Sequence, residues 1–155
     1  MLKDLVRGAD VLVENFRPGT MEKLGVGYEV LREINPRLVY TAISGYGRTG
    51  SRSKRPAFDN TAQAAGGIWS MNGYAEHPPV RVGVTIGDLS ATLFAVIGTL
   101  AALRHAEATG VGQVVDVAQV DSIVALTETA VVDYTVTGNV ASPQGNAHAW
   151  VRPYE

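Results

Sequence analysis

The feature that most constrains this chain is a run of fifteen residues without a charge, Leu89 to Leu103. Leu89, Leu93, Val96, Ile97, Leu100 and Leu103 recur within it at helical spacing. Ser90, Ala91, Ala95, Gly98 and Ala102 lie between them, small residues that let neighbouring backbone come close. The pattern predicts a long helix buried in the core. Asp88 stands where its N-cap belongs, with a side chain able to accept free N–H groups of the first turn. Arg104 and His105 suit the negative end of the helix dipole, and Gly110 offers the stop. Fifteen uncharged residues interrupted by Gly98 fall short of a membrane span. A carboxylate at the mouth of such a helix is held ionised by the dipole. It is either an ordinary cap or a positioned nucleophile.

The rest of the chain alternates strand and helix around that element. Residues 2–8 read as helical turns. Val11-Leu12-Val13 reads as a short buried strand running into Glu14-Asn15-Phe16-Arg17-Pro18-Gly19. A short helix from Pro18 to Leu24 stops at Gly25, with Pro18 at its first position. Another spans 28–34 and ends at Asn35-Pro36. Leu38 to Ile43 is β-branched and apolar, a strand of the buried parallel type. After a glycine-rich basic loop from Ser44 to Pro56, a helix is expected from about Phe58 to Ser70, with Gly66-Gly67 allowing close packing. Val80 to Val84 reads as extended, Gln113 to Ala118 as a strand, and Val120 to Thr135 as a last helix. Together these predict an α/β fold with a mostly parallel sheet and flanking helices.

Composition narrows the function classes. A chain of 155 residues, 46% hydrophobic and 18% charged, is globular and long enough for one core. A formal charge of −2 argues against broad nucleic-acid binding. With no cysteine, disulfides, thiolate catalysis and cysteine-held metals are excluded. His77, His105 and His148 show no ligand spacing, so no metal is expected, and no G-x-S-x-G turn carries a nucleophilic serine. The stretch Met1 to Arg7 lacks a signal-peptide core, and the expected location is cytoplasmic.

Three stretches carry possible chemistry. Gly45-Tyr46-Gly47-Arg48-Thr49-Gly50 matches G-x-G-x-x-G after a strand, but Ser51 to Pro56 reads as loop where a dinucleotide site needs a helix. Arg48, Arg52, Lys54 and Arg55 nonetheless put four cations within eight residues, either a solvated loop or a seat for phosphates. Asn15-Phe16-Arg17 follows the C-terminal end of a strand, where open α/β sheets bind ligands. There Phe16 either enters the core or flanks a ligand, and Arg17 can reach a phosphate.

Ala9 to Gly19 resembles a hallmark of the class III CoA-transferases, a family that includes formyl-CoA and carnitine CoA-transferases and α-methylacyl-CoA racemases. Further marks follow in order: Asn35-Pro36-Arg37-Leu38-Val39-Tyr40, Ser44-Gly45-Tyr46-Gly47, Phe58-Asp59 with Gln63-Ala64, Gly87-Asp88, and Gly110-Val111-Gly112-Gln113. The resemblance implies that residues 1–137 are part of a large Rossmann-like CoA-binding domain, in an interlocked homodimer. Residues 138–155 would then lead toward a small domain beyond Glu155, so the chain alone would be an inactive fragment. Asp88 matches the family nucleophile. Asn15, Phe16 and Arg17 would lie in the CoA cleft, Lys23 at a position often basic, and Arg55, Ala57 and Phe58 along the pantetheine arm.

The implied activity moves coenzyme A between an acyl-CoA donor and a carboxylic-acid acceptor through an aspartyl anhydride and an aspartyl-CoA thioester. The alternatives are acyl-CoA racemisation and a non-catalytic CoA-binding or dimerisation module. Racemisation needs two acid–base groups. Where the racemases have a histidine before the aspartate, this chain has Phe58, so transfer is favoured. Neither nucleic acid nor membrane is expected as a partner.

Overall fold

The computed structural model describes residues 1–147. The last eight positions of the expected 138–155 linker, His148 among them, lie outside the described residues. Three parallel strands, β1 (Val11–Glu14), β2 (Val39–Ser44) and β3 (Val114–Ala118), pair in the order β1-β2-β3. Val11 lies opposite Val39, and Tyr40 opposite Val114. The fold is therefore the expected one, a parallel sheet flanked by helices.

Strand periodicity divides the core into two layers. Leu38, Tyr40 and Ala42 project to one face, where they pack with Val6, Met21 and Leu31. Those partners come from α1 (Leu2–Val6), α2 (Thr20–Lys23) and α3 (Tyr28–Ile34). Val39, Thr41 and Ile43 project to the other face, against α6 (Ile86–Thr109). There Val39 meets Ala102 and Ala106, and Ile43 packs against Ala91, Ala95 and Val117. The Thr41 and Thr99 hydroxyls share a hydrogen bond of 2.6 Å across this layer.

The long helix departs from its sequence reading in three ways. It starts at Ile86 with Thr85 as N-cap, so Asp88 is the third residue of its first turn and not the cap. It runs unbroken through Gly98 for 24 residues, and an 18-residue window averages a hydropathy of 1.8. By length and composition alone it is long enough to cross a membrane, contrary to the fifteen-residue expectation. Third, the small residues face the sheet, whereas Leu93, Ile97 and Leu100 are 65%, 62% and 61% exposed. The reason is steric. At Gly98 a Cβ would already stand 2.7 Å from Val115 Cγ1, so only small side chains fit between helix and sheet.

Smaller corrections follow from glycine geometry. Gly19, at φ +88°, caps α2, so Pro18 precedes that helix. The expected 58–70 helix breaks at Gly67, φ +87°, into α4 (Asp59–Ala65) and α5 (Ile68–Met71). Gly66 does provide close packing, because any Cβ there would overlap Ile123. The last helix is likewise two, α7 (Gln119–Leu126) and α8 (Glu128–Thr137), parted at Thr127. The segment from Val80 to Val84 pairs with no strand among the described residues.

Candidate active site

A cleft of about 660 Å³ opens beyond the C-terminal ends of all three strands. The turn after β1 gives it Asn15, Phe16, Arg17 and Pro18, and the end of β2 gives Ile43, Ser44 and Gly45. The basic loop contributes Arg55 to Phe58, the start of α4 Asp59, α6 Asp88 and Thr92, and α7 Gln119. Seven of the eight residues singled out from sequence thus meet here: Asn15, Phe16, Arg17, Arg55, Ala57, Phe58 and Asp88. The eighth, Lys23, is an exposed residue at the end of α2 and does not line the cleft. Phe16 and Phe58 are 53% and 77% exposed, which rules out the core reading of Phe16.

A carboxylate anchors the β1 turn. Glu14 is buried, and its Oε2 accepts the Phe16 N–H at 2.8 Å. Its Oε1 faces Arg48 Nη1 and the Tyr40 hydroxyl, each at 3.4 Å. Arg48 also reaches Glu22 at 2.5 Å and lies over the Tyr40 ring. Its backbone N–H donates to Asp116 Oδ2 at 2.9 Å. Arg48 is therefore a structural cation engaged with two glutamates, not a phosphate ligand as the basic loop suggested. Of the four loop cations, only Arg55 lines the cleft. Burial, helped by the Glu14 charge, pushes the Tyr40 phenol up to about 12.

Asp88 faces the cleft from the first turn of α6, where Gln119 donates its Nε2–H to Oδ1. Burial, then the negative charge of Asp59, pushes the Asp88 carboxyl above its ordinary value, and the Gln119 bond pulls the other way. On the sequence reading the helix dipole holds this carboxylate ionised; burial and the Asp59 charge oppose that.

The residues that sequence reasoning left without a role are Asp59, Gln63, Gln119 and Ser44. Asp59 and Gln63 are spaced i, i+4 on one helix, the available signal for a side-chain pair. Asp59 Oδ2 accepts from Gln63 Nε2 at 2.8 Å. Nothing local marked Gln119 or Ser44. The Ser44 hydroxyl is the one buried side-chain polar atom without a partner among the described residues.

The molecule is thus an open α/β protein whose cleft at the strand ends gathers a carboxylate of raised proton affinity, Asp88, with Arg17, Arg55 and the exposed Phe16 and Phe58. The chain belongs to CoA-transferase family III, whose model matches residues 1–155. It is 48% identical to the succinyl-CoA:mesaconate CoA-transferase of Haloarcula hispanica over 155 residues, covering 97% of this chain and 39% of that protein. It is 42% identical to the acetyl-CoA:oxalate CoA-transferase of Acetobacter aceti, covering 98% and 39%. A crystal structure of a CAIB/BAIF family protein from Brucella suis superposes with a TM-score of 0.94 at 36% identity, over 99% of this chain and 41% of that one. The chain thus spans about two fifths of the length of the relatives it matches.

Proposed function

We propose that this protein moves coenzyme A from an acyl-CoA donor to a carboxylic-acid acceptor, with Asp88 as the covalent carrier. The observation that carries this reading is the placement of Asp88 in a cleft between arginine-bearing turns, with one oxygen held by Gln119. The other oxygen is left to attack a thioester carbonyl, giving a mixed anhydride and expelling CoA thiolate. The thiolate then attacks the aspartyl carbonyl, releasing the first acid and leaving an aspartyl-CoA thioester. An incoming carboxylate attacks that thioester and expels the thiolate again. Thiolate attack on the acyl carbonyl of the new anhydride gives the product and frees Asp88.

No proton changes hands in these four steps, so a carboxylate suffices and no general base is required. The raised proton affinity of Asp88 makes its oxygen a better nucleophile. Arg17 and Arg55 pair with the CoA phosphates, and Phe16 and Phe58 flank its adenine and pantetheine parts. The named acids of the relatives, mesaconate and oxalate, support a small dicarboxylic acid as acceptor. Phe58 cannot carry a proton, which disfavours racemisation. The exposed apolar face of α6 supports a homodimer, in which that face is covered.

The test is chemical trapping in the full-length protein. Incubation with acyl-CoA and hydroxylamine, followed by peptide mapping, is expected to place a hydroxamate on Asp88. Asp88→Asn is expected to abolish exchange while CoA still binds. An active Asp88→Asn enzyme, or a hydroxamate on another carboxylate, refutes the assignment.

A further inference from the structure

The first turn of α6 has no cap of its own. Thr85 occupies the N-cap position without a side-chain hydrogen bond, and the opening N–H groups of any helix lack intrahelical acceptors. One of these, the Gly87 N–H, is met from another helix. Asp59 Oδ1, on α4, accepts it at 2.8 Å. Glycine at 87 eases this approach, since a Cβ there would stand 3.0 Å from Asp59 Oδ1 and 3.2 Å from Ala62 Cβ, tight enough to push both neighbours back by a few tenths of an ångström. Two motifs, Phe58-Asp59 and Gly87-Asp88, are thereby one device, joined through Asp59 and Gly87, 28 residues apart.

Behind Asp59 the orientation is fixed by a chain of donors. Gln63 is fully buried. Its Oε1 accepts from Trp69 Nε1 and from the Val82 N–H, both at 2.9 Å. Its Nε2 donates to Val84 O at 3.1 Å and to Asp59 Oδ2 at 2.8 Å. The amide cannot flip without turning its NH₂ on two donors. Asp59 is thus faced by a donor at each oxygen, a place that suits an acceptor-only carboxylate and that no asparagine satisfies. The same bonds tie down the chain from Val82 to Val84 just before α6.

We propose that Asp59, backed by Gln63, is the positioning residue for Asp88: it caps α6 in trans and stands as a second negative charge beside the nucleophile. This rests on the reading of Asp88 as the carrier. Asp59 from α4 and Gln119 from α7 face Asp88, Thr92 lies one turn along its own helix, and Arg17 and Arg55 line the same cleft. Only Asp59 among these brings a like charge. It therefore holds the Asp88 carboxyl up and adds to its nucleophilic strength.

The test is a titration of the Asp88 side-chain carbon by NMR, in wild type and in Asp59→Asn. The Asp88 midpoint is expected to move down in Asp59→Asn and to stay in place in Trp69→Phe, which breaks only the far end of the chain. Acyl transfer by Asp59→Asn is expected to slow by about tenfold to a hundredfold, as for a misplaced reacting group. An unchanged midpoint in folded Asp59→Asn overturns the proposal. Should that variant not fold, the wild type decides: the Gly87 amide proton is expected to exchange slowly, and fast exchange overturns the proposal equally. Hydroxylamine trapping keeps the two ideas apart. A hydroxamate on Asp88 with an unmoved midpoint sinks the positioning role alone. A moved midpoint without a hydroxamate sinks the carrier role alone.

Discussion

Gly45→Ala would strike the cleft wall and the sheet together. Gly45 follows β2 inside the cleft, and its carbonyl accepts the Val120 N–H at 3.1 Å, tying the end of β2 to α7. A Cβ placed on it would lie closer than 3.0 Å to the Ala57 Cβ. Carbon atoms pack at about 3.5–4.0 Å, so the wall formed by residues 55–58 has to move outward by roughly 1.5 Å or more. Overpacking of this kind costs about 1–3 kcal/mol. For a chain of this size that lowers the melting temperature by about 2–12 °C. The same displacement carries Arg55 and Phe58 off their positions, and misplacement on this scale costs up to about a hundredfold in a reaction. Ala57→Gly in the same chain removes the overlapping atom. The closest remaining neighbours of the new Cβ, Ala57 Cα and N at 3.3 and 3.6 Å, need little adjustment. Thermal unfolding and CoA calorimetry on both single variants and the double variant form a cycle, with an expected coupling of about 1–3 kcal/mol in favour of the pair. Unfolding of Gly45→Ala at the wild-type temperature, or purely additive effects, refutes the steric argument.

Four other outcomes are expected. Tyr40, wholly buried and raised to about 12, stabilises the fold fully below pH about 10 and loses that contribution as pH rises through 12. Two units correspond to about 3 kcal/mol, so Tyr40→Phe should resist alkaline unfolding better than wild type, and equal curves above pH about 10 would refute this. Asp88 has the opposite consequence at lower pH. Its raised carboxyl means the folded state holds the proton longer than the unfolded one, so stability falls as pH rises through its titration. Asp88→Asn should gain on wild type over that range in urea titrations, and a pH-independent difference would contradict it. Arg48→Ala leaves buried Glu14 without its cation and should destabilise by about 1–3 kcal/mol, discounted because Glu22 is half exposed; an unchanged urea midpoint would show the pair contributes nothing. Leu93→Lys with Ile97→Lys, on the exposed stripe of α6, should reduce self-association of this chain without lowering its melting temperature, as scattering and calorimetry would show.

The sequence by itself determined the features that depend on neighbours along the chain. Short apolar runs rich in β-branched residues placed β1 and β2, and the apolar period located α6. Gly25 and Gly110 stopped helices because a left-handed backbone, φ +70° and +76°, suits glycine. The order of short motifs pointed to the family and to Asp88, Arg17 and Arg55. Which face of α6 is buried was decided only in three dimensions. Hydrophobicity favours burying leucine, but the gap between helix and sheet at Gly98 and Val115 admits only small side chains. The basic loop likewise looked like four free cations until the fold carried Arg48 to Glu14 and Glu22, 34 and 26 residues away. Asp59 meets Gly87 because α4 packs on α6, a contact that neither local spacing nor propensity encodes. Local periodicity records whether a residue is apolar or polar. The partner that gives a polar residue its purpose is set by packing, and packing is a property of the whole chain.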